Sequence, residues 1–174
     1  METHHNALIN FMKDKDIKTM AEVGAAMSKM TELILNIYKH CITQYWATDI
    51  WGWNEANKIY INVSKAEWDI RYFHACQLMC CYPQLRVIKG SALEIFEIFP
   101  ESFFNLVYID ADHHYDFMAS TIKNWRPLIK TDGFLLGKIP RKKPEELLRA
   151  VSDCIKETDV IIDQDGQLWT HRVQ

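Results

Sequence analysis

Residues 105–117, NLVYIDADHHYDF, place two carboxylates and two imidazoles at the end of an apolar run: Asp110, Asp112, His113 and His114, with Tyr115 beside them. The apolar part suits a buried strand, and the polar part begins where such a strand would end. Carboxylates at that point can hold a positive charge or position a hydroxyl. An imidazole titrates near neutral pH and can take a proton from that hydroxyl, while an adjacent carboxylate fixes its tautomer. Asp110 is the candidate for electrostatics and positioning, and His113 or Asp112 the candidate base. Asp112 has a second reading, as the N-cap of the following helix. His113 and His114 are sequence neighbours, so at most one of them faces a common crevice.

A strand tip does chemistry only when other tips converge on it, so the flanking elements matter next. Residues 4–15 and 26–40 carry apolar residues at helical spacing, the second with Met27, Met30, Leu33, Ile34, Ile37 and Tyr38 on one face. Between them IKTMAEVG reads as a strand running into a tight turn. TQYWATD, LRVIKG and NLVYID predict the second to fourth strands, and GFLLG the fifth, after a turn at KTDG. Helices are expected over 66–82, ending before Pro83, over 91–99, over 116–129 and in KPEELLRAVSDCIKE, where Pro144 stands near the start. Residues 51–65 are aromatic and irregular and suit a loop, and DVIIDQDGQLWTHRV predicts a hairpin around Asp165-Gly166. Alternating strands and helices predict an α/β fold: a mostly parallel sheet, helices on both faces, and a closing antiparallel hairpin at one edge.

In such sheets ligands bind beyond the carboxyl ends of the strands, near the reversal of strand order. The chemically capable residues fall there: Glu22 and Gly24, Asp49, Ser91, then Asp110 and Asp112. Gly24 lacks a Cβ, which lets the backbone approach a ligand. Asp49 is placed to accept hydrogen bonds from a ribose diol. EVGAAMS has one glycine where a dinucleotide fingerprint needs three, so a nucleoside without a pyrophosphate fits better than NAD.

Composition bounds the class. At 174 residues, 48% of them hydrophobic and 12% aromatic, the chain suits a single domain spanning 1–174. A formal charge of −3, from 20 basic and 23 acidic side chains, creates no field drawing it to nucleic acid or anionic lipid. A small-molecule partner is favoured. The apolar runs are short, and METHHNALINFMKDKD lacks the layout of a signal peptide, which predicts a soluble, cytoplasmic protein. His4 and His5 are expected at the surface. The cysteines are odd in number, and Cys76, Cys80 and Cys81 lie in a helical pattern, so reduced core thiols are expected and no metal is assigned to them. The aromatic residues Trp51, Trp53 and Trp68 read mainly as core, Trp51 being the best placed to stack on a ligand.

In order and spacing, AEVGAAMSKMTELIL, YWATDIWG, AEWDIRY, LRVIKGSALEIF, NLVYIDADHHYDFMASTIKNWRPLIKTDGFLLG and LWTHRV resemble class I S-adenosylmethionine-dependent methyltransferases. The resemblance is to the small bacterial and phage group related to sugar and macrolide O-methyltransferases, and it runs from about residue 17 to the end. Its most specific element is VYIDADHHY, followed by a helix carrying Trp125 and Pro127. It implies a Rossmann-like, seven-stranded sheet that binds S-adenosylmethionine across the ends of the first four strands. Glu22 and Gly24 would lie by the methionine moiety, Asp49 on the ribose hydroxyls, Ile50 and Trp51 beside the adenine, and Ser91 and Ala92 at its edge. Asp110 would stand beside the sulfonium and the acceptor. The N-terminal helix, the loop 51–65 and the segment after Gly137 would shape the acceptor pocket. The implied activity is methyl transfer to an oxygen of a small molecule, a sugar or related metabolite, with a homodimer left open.

This sequence departs from the family at three places. Ser28 stands where a second glycine is usual, crowding the carboxylate end of the cofactor or donating a hydroxyl hydrogen bond to it. Ser91 stands where an acid usually follows the third strand. After the fifth strand, relatives commonly carry His-Asp or Asp-Asp, which with the fourth-strand aspartate can hold magnesium; here Lys138 and Ile139 follow. Magnesium needs oxygen ligands and isoleucine has none, so a divalent metal is doubtful. Two roles are open to the Lys138 ammonium, neutralising Asp110 or Asp112, or binding an anionic acceptor with Arg141, Lys142 and Lys143, beside the plainer reading of a solvated basic loop. Two other functions stay open: a degenerate binding protein on the same fold, and a nucleic-acid methyltransferase. Against the second, the Asn/Asp-Pro-Pro-Tyr/Phe signature of base amino-methylation is replaced by DADHHY.

Overall fold

The structure, a computed structural model, describes residues 3–52 and 63–174. The chain runs α1 (Thr3–Met12), β1 (Thr19–Val23), α2 (Lys29–Tyr38), β2 (Gln44–Asp49), α3 (Lys65–Cys81), β3 (Leu85–Lys89), β4 (Phe104–Ile109), α4 (Tyr115–Trp125), β5 (Ile129–Lys138), α5 (Pro144–Cys154), β6 (Val160–Ile162) and β7 (Leu168–Arg172). The strands form one seven-stranded sheet in the order β3-β2-β1-β4-β5-β7-β6. The first five are parallel; β7 runs antiparallel to β5, and β6 antiparallel to β7. This is the Rossmann-like sheet with an antiparallel edge that the alternation of elements predicts.

Successive strand residues feed opposite faces of the sheet. Met20, Leu106, Tyr108 and Leu136 pack with Leu8, Ile34, Leu35 and Trp68 under α1, α2 and α3. Their neighbours Ala21, Val107, Ile109 and Leu135 pack with Met118, Trp125, Leu147 and Val151 under α4 and α5. Both faces being covered explains why β4 reads as a continuous apolar run over residues 106–109 instead of an alternating one. Ser64 caps α3 by accepting from the Glu67 N–H at 3.1 Å, and Tyr82, before Pro83, is extended, as a residue preceding proline should be.

Several local expectations are corrected. KTDG is part of β5, not a turn: the register with β4 shifts between Phe104 and Leu106, and Asp132 takes φ 64 at the irregularity. Within 91–99 only Ile95–Ile98 is helical, as a single 3-10 turn. The hairpin connection is longer than Asp165-Gly166 alone, because Asp163 Oδ1 accepts from the N–H groups of both Gln167 and Leu168 at 2.6 Å. On α2 the buried residues are Met30, Thr31, Ile34 and Leu35, while Met27 and Ile37 are exposed. The cysteines are free thiols, but Cys41, Cys80 and Cys81 are exposed and not core. His4 and His5 are buried, at 7% and 8% exposure, because α1 packs against the sheet instead of trailing from it. Most of the loop expected to shape the acceptor pocket, residues 53–62 with Trp53, lies outside the described residues. No described helix is long and apolar enough to cross a membrane.

Candidate active site

Strand order reverses between β1 and β4: from β1 the chain builds outward through β2 and β3, then returns to place β4 on the other side of β1. Main-chain bonds extend past the strand ends here. Asp110 N donates to Val23 O at 2.8 Å, Gly24 N to Thr48 O at 2.8 Å, and Gly90 N to Asp49 O at 2.9 Å. Gly24 has φ +100, and a Cβ on it would lie 2.3 Å from the carbonyl oxygen of Asp110. The structure adds a packing reason to the sequence reading of this glycine as room for a ligand. What approaches the bare Cα is the main chain of Asp110, and the glycine brings that carboxylate to the switch point.

The turn after β1 has left-handed residues at Ala26 (φ 43) and Ser28 (φ 57), and Asp49 holds it. One carboxylate oxygen accepts from Ala26 N at 2.9 Å and the other from Trp51 N at 2.8 Å, while Trp51 Nε1 donates to Ala26 O at 2.8 Å. Burial raises the Asp49 carboxyl above its usual value, opposed by the N–H groups of Trp51 and Ala26 and by the Arg71 charge. A carboxylate has about four acceptor positions, so the two backbone bonds leave capacity for a diol.

An open cleft lies above these strand ends. Of the residues singled out from the sequence, Gly24, Asp49, Ile50, Ser91, Ala92, Asp110 and Asp112 line it. Ala92 is fixed by Trp125, whose Nε1 donates to its carbonyl at 2.9 Å. Four others do not line it: His113, described below, and Glu22, Ser28 and Trp51. Glu22, at 2% exposure, is sealed beneath, one oxygen accepting from Thr31 Oγ1 at 2.5 Å and Tyr45 OH at 2.7 Å; burial pushes its carboxyl up to about 7. Ser28 is fully buried, and its hydroxyl has no hydrogen-bond partner among the described residues. Trp51 is fully buried, its indole tied to the turn and tilted against Tyr72. Sequence reading missed Phe117, in the first turn of α4, and treated Trp68 as core; both line the cleft. Trp68 is also a core residue, and its spacing on α3 signals only that.

At the β4 end, Asp110 gathers one ammonium and two imidazoles. Lys138 Nζ lies 3.2 Å from Oδ1 and 3.3 Å from Oδ2, and the Nε2 atoms of His113 and His4 are each 3.9 Å away. Of the two expected roles for Lys138, the pairing with Asp110 is the one seen; Arg141, Lys142 and Lys143 are exposed in the turn before α5. Asp112 is committed to the turn that opens α4: its Oδ1 accepts from His114 N at 2.9 Å and stands 2.5 Å from His114 Nδ1. The helix N-cap position falls on His114, two residues beyond the aspartate. His113 is half-buried, and its Nε2 has no hydrogen-bond partner among the described residues. Burial holds its imidazole below the ordinary value, and the Lys138 charge acts in the same direction against the pull of Asp110. A neutral imidazole can take a proton, and this one meets an acceptor only when its buried Nε2 is uncovered toward the cleft.

Comparison with known proteins agrees with this fold. Residues 21–138 match the sequence profile of the family described as Methyltransferase domain. No curated protein sequence matches the chain. Among solved structures, a Staphylococcus aureus protein assigned as a caffeoyl-CoA O-methyltransferase superposes with TM-score 0.69 at 17% identity, covering 99% of this chain and 84% of that one. The S-adenosylhomocysteine-bound Podospora anserina methyltransferase PaMTH1 gives 0.69 at 12%, covering 100% and 80%. The TDP-rhamnose 3'-O-methyltransferase CalS11 gives 0.65 at 11%, covering 97% and 77%. These likenesses are likenesses of fold, and with the profile match over most of the sheet they lead to one conclusion: this chain belongs to the methyltransferase domain family, in its Rossmann-like class I form.

Proposed function

We propose that the protein transfers a methyl group from S-adenosylmethionine to an oxygen of a small molecule, a sugar or related metabolite. The observation that carries this reading is the convergence of the Gly24 turn, the Asp49 carboxylate and Asp110 on one cleft at the strand switch point. The residues present fit the cofactor. Asp49 keeps acceptor capacity for ribose hydroxyls, Ile50, Ser91, Ala92 and Trp68 offer a mostly apolar wall for a purine, and Asp110 supplies negative charge for a sulfonium. A structural neighbour that holds S-adenosylhomocysteine and another that acts on a sugar nucleotide support the same choice.

S-adenosylmethionine supplies, when bound, an electrophilic methyl whose C–S bonding pair returns to sulfur as the new O–C bond forms. The chain must hold the acceptor hydroxyl in line and remove its proton. His113 Nε2 accepts that proton, and Asp110, 3.9 Å away, balances the charge the imidazole gains. Asp112, its Oδ1 engaged by His114, positions the start of α4.

Calorimetry tests the cofactor. S-adenosylhomocysteine is expected to bind in the micromolar range, and Asp49→Ala to weaken it by about tenfold or more. A flat titration of the wild-type chain would overturn the enzymatic reading in favour of a degenerate binding protein. Labelled cofactor offered with sugars, catechols and short RNAs then tests the acceptor, and label entering only RNA would reassign the protein to nucleic-acid methylation.

A further inference from the structure

We infer that the Lys138 ammonium is the resident cation at Asp110, a carboxylate that lines the cleft, standing where a divalent metal would have to sit, and that methyl transfer here needs no metal. The inference rests on the methyltransferase reading above and adds to it how the acceptor oxygen is stabilised.

The placement is built into the sheet. Gly137 pairs with Ile109 in the parallel β4–β5 ladder, so the next residues, Lys138 and Asp110, leave adjacent strands side by side. Lys138 is also held by its pairing with Leu168 of β7, which fixes its backbone from the other side. Its ammonium contacts both Asp110 oxygens, at 3.2 and 3.3 Å, where the two side chains keep 30% and 19% exposure. A pair so shielded is screened less than one on the open surface.

The donors around Asp110 do not suit a divalent ion. Magnesium or manganese wants about six oxygen-type ligands, carboxylates foremost. Ile139, the residue after Lys138, is 8% exposed and packed in the core beneath α4 and α5, so it offers no oxygen and cannot swing out cheaply. Asp112 Oδ1 is engaged by His114. Among the described residues no group of three or more His, Cys, Asp or Glu side chains is arranged to hold a metal. A dication at Asp110 would also face the Lys138 charge at close range.

An ammonium has three N–H donors. One is donated to Asp110 Oδ2, with Oδ1 in ion-pair range, which leaves donor capacity for an acceptor oxygen as negative charge grows on it. A fixed positive charge aimed at a developing alkoxide is the electrostatic service a metal would otherwise perform.

The test is Mn²⁺ titration of the full chain followed by electron paramagnetic resonance. Wild type is expected to bind no tighter than about 1 mM. Lys138→Asp, which places a second carboxylate beside Asp110, is expected to bind at least about tenfold tighter, and Asp110→Asn added to it to remove the gain. Lys138→Met, which removes the charge while keeping the apolar stem, is the second variant should the first fail to fold by circular dichroism; its Mn²⁺ affinity should rise as well. Submillimolar binding by wild type that Asp110→Asn abolishes would overturn the inference, as would folded Lys138 variants with no gain, or turnover that EDTA removes. The Mn²⁺ readout needs neither cofactor nor acceptor, so its failure is separable from a failure of S-adenosylhomocysteine to bind.

Discussion

Ser28 carries two local costs at once. Its backbone sits at φ 57, and its buried hydroxyl has no partner among the described residues. The left-handed region costs an L-residue about 1 kcal/mol, and an unsatisfied buried hydroxyl about 1–3 kcal/mol. Glycine relieves both but gives the unfolded chain freedom worth about 0.5–1 kcal/mol. Ser28→Gly should therefore stabilise the fold by at least about 1 kcal/mol, raising Tm by about 3 °C or more in a thermal scan. Because the hydroxyl is outside the cleft wall, S-adenosylhomocysteine affinity should stay within about twofold, whereas a tenfold loss would show that it donates to the cofactor. His113 makes the complementary prediction: His113→Gln should lower turnover about a hundredfold or more while cofactor affinity holds, since general-base catalysis is worth that much. At this scale the sequence announced Asp110, Asp49 and the odd serine, because strand ends and a missing glycine leave visible marks. It did not announce His4, whose approach to Asp110 depends on α1 folding back against the sheet, which two histidines near a terminus do not encode.

The junction of β1 with β4 is the element on which the cleft depends. An alanine Cβ at Gly24 would fall 2.3 Å from a backbone oxygen, at a φ of +100 that side-chain-bearing residues rarely adopt. At Gly90 the added carbon would meet the Ile95 Cγ2 methyl at 2.5 Å, one side-chain group and no main-chain atom, at a backbone conformation open to other residues. Gly24→Ala should thus cost about 3 kcal/mol or more in urea unfolding and abolish S-adenosylhomocysteine binding, and Gly90→Ala about 1 kcal/mol. Equal effects at the two positions would show that the β1–β4 approach is not what the glycine protects. Elements were legible in the sequence where periodicity and stop signals agreed, as in α3 between Ser64 and Pro83. They were misread where a side chain took over from the backbone pattern: Asp163 lengthens the terminal hairpin by holding two N–H groups, and the bulge opposite Phe104 absorbs a KTDG that composition marks as a turn.

Taken as a whole, the molecule keeps carboxylates close together under and around its central strand ends, and this sets how stability follows pH. Glu22 is the decisive member, since burial, reinforced by the charges of Asp110 and Asp49, pushes it from 4.5 to about 7 despite the bonds from Thr31 and Tyr45. Between those values the native state holds a proton that the unfolded chain has released, so stability falls as pH rises through that window and levels off above it. The full span is worth about 3 kcal/mol at most. His113 acts in the opposite sense below its ordinary 6.5, because its lowered native value means the unfolded chain binds the extra proton there. The decline is therefore clearest above pH 6.5, and the difference between wild type and Glu22→Gln removes the histidine contribution altogether. Urea midpoints at pH 5.5 and pH 8 should fall across the pair for wild type relative to Glu22→Gln, in which the oxygen facing Thr31 and Tyr45 remains but the titration is gone. Parallel pH curves for the two proteins would mean that Glu22 is ionised in the native state at both pH values, and that the Thr31 and Tyr45 hydroxyls outweigh the cost of burying its charge.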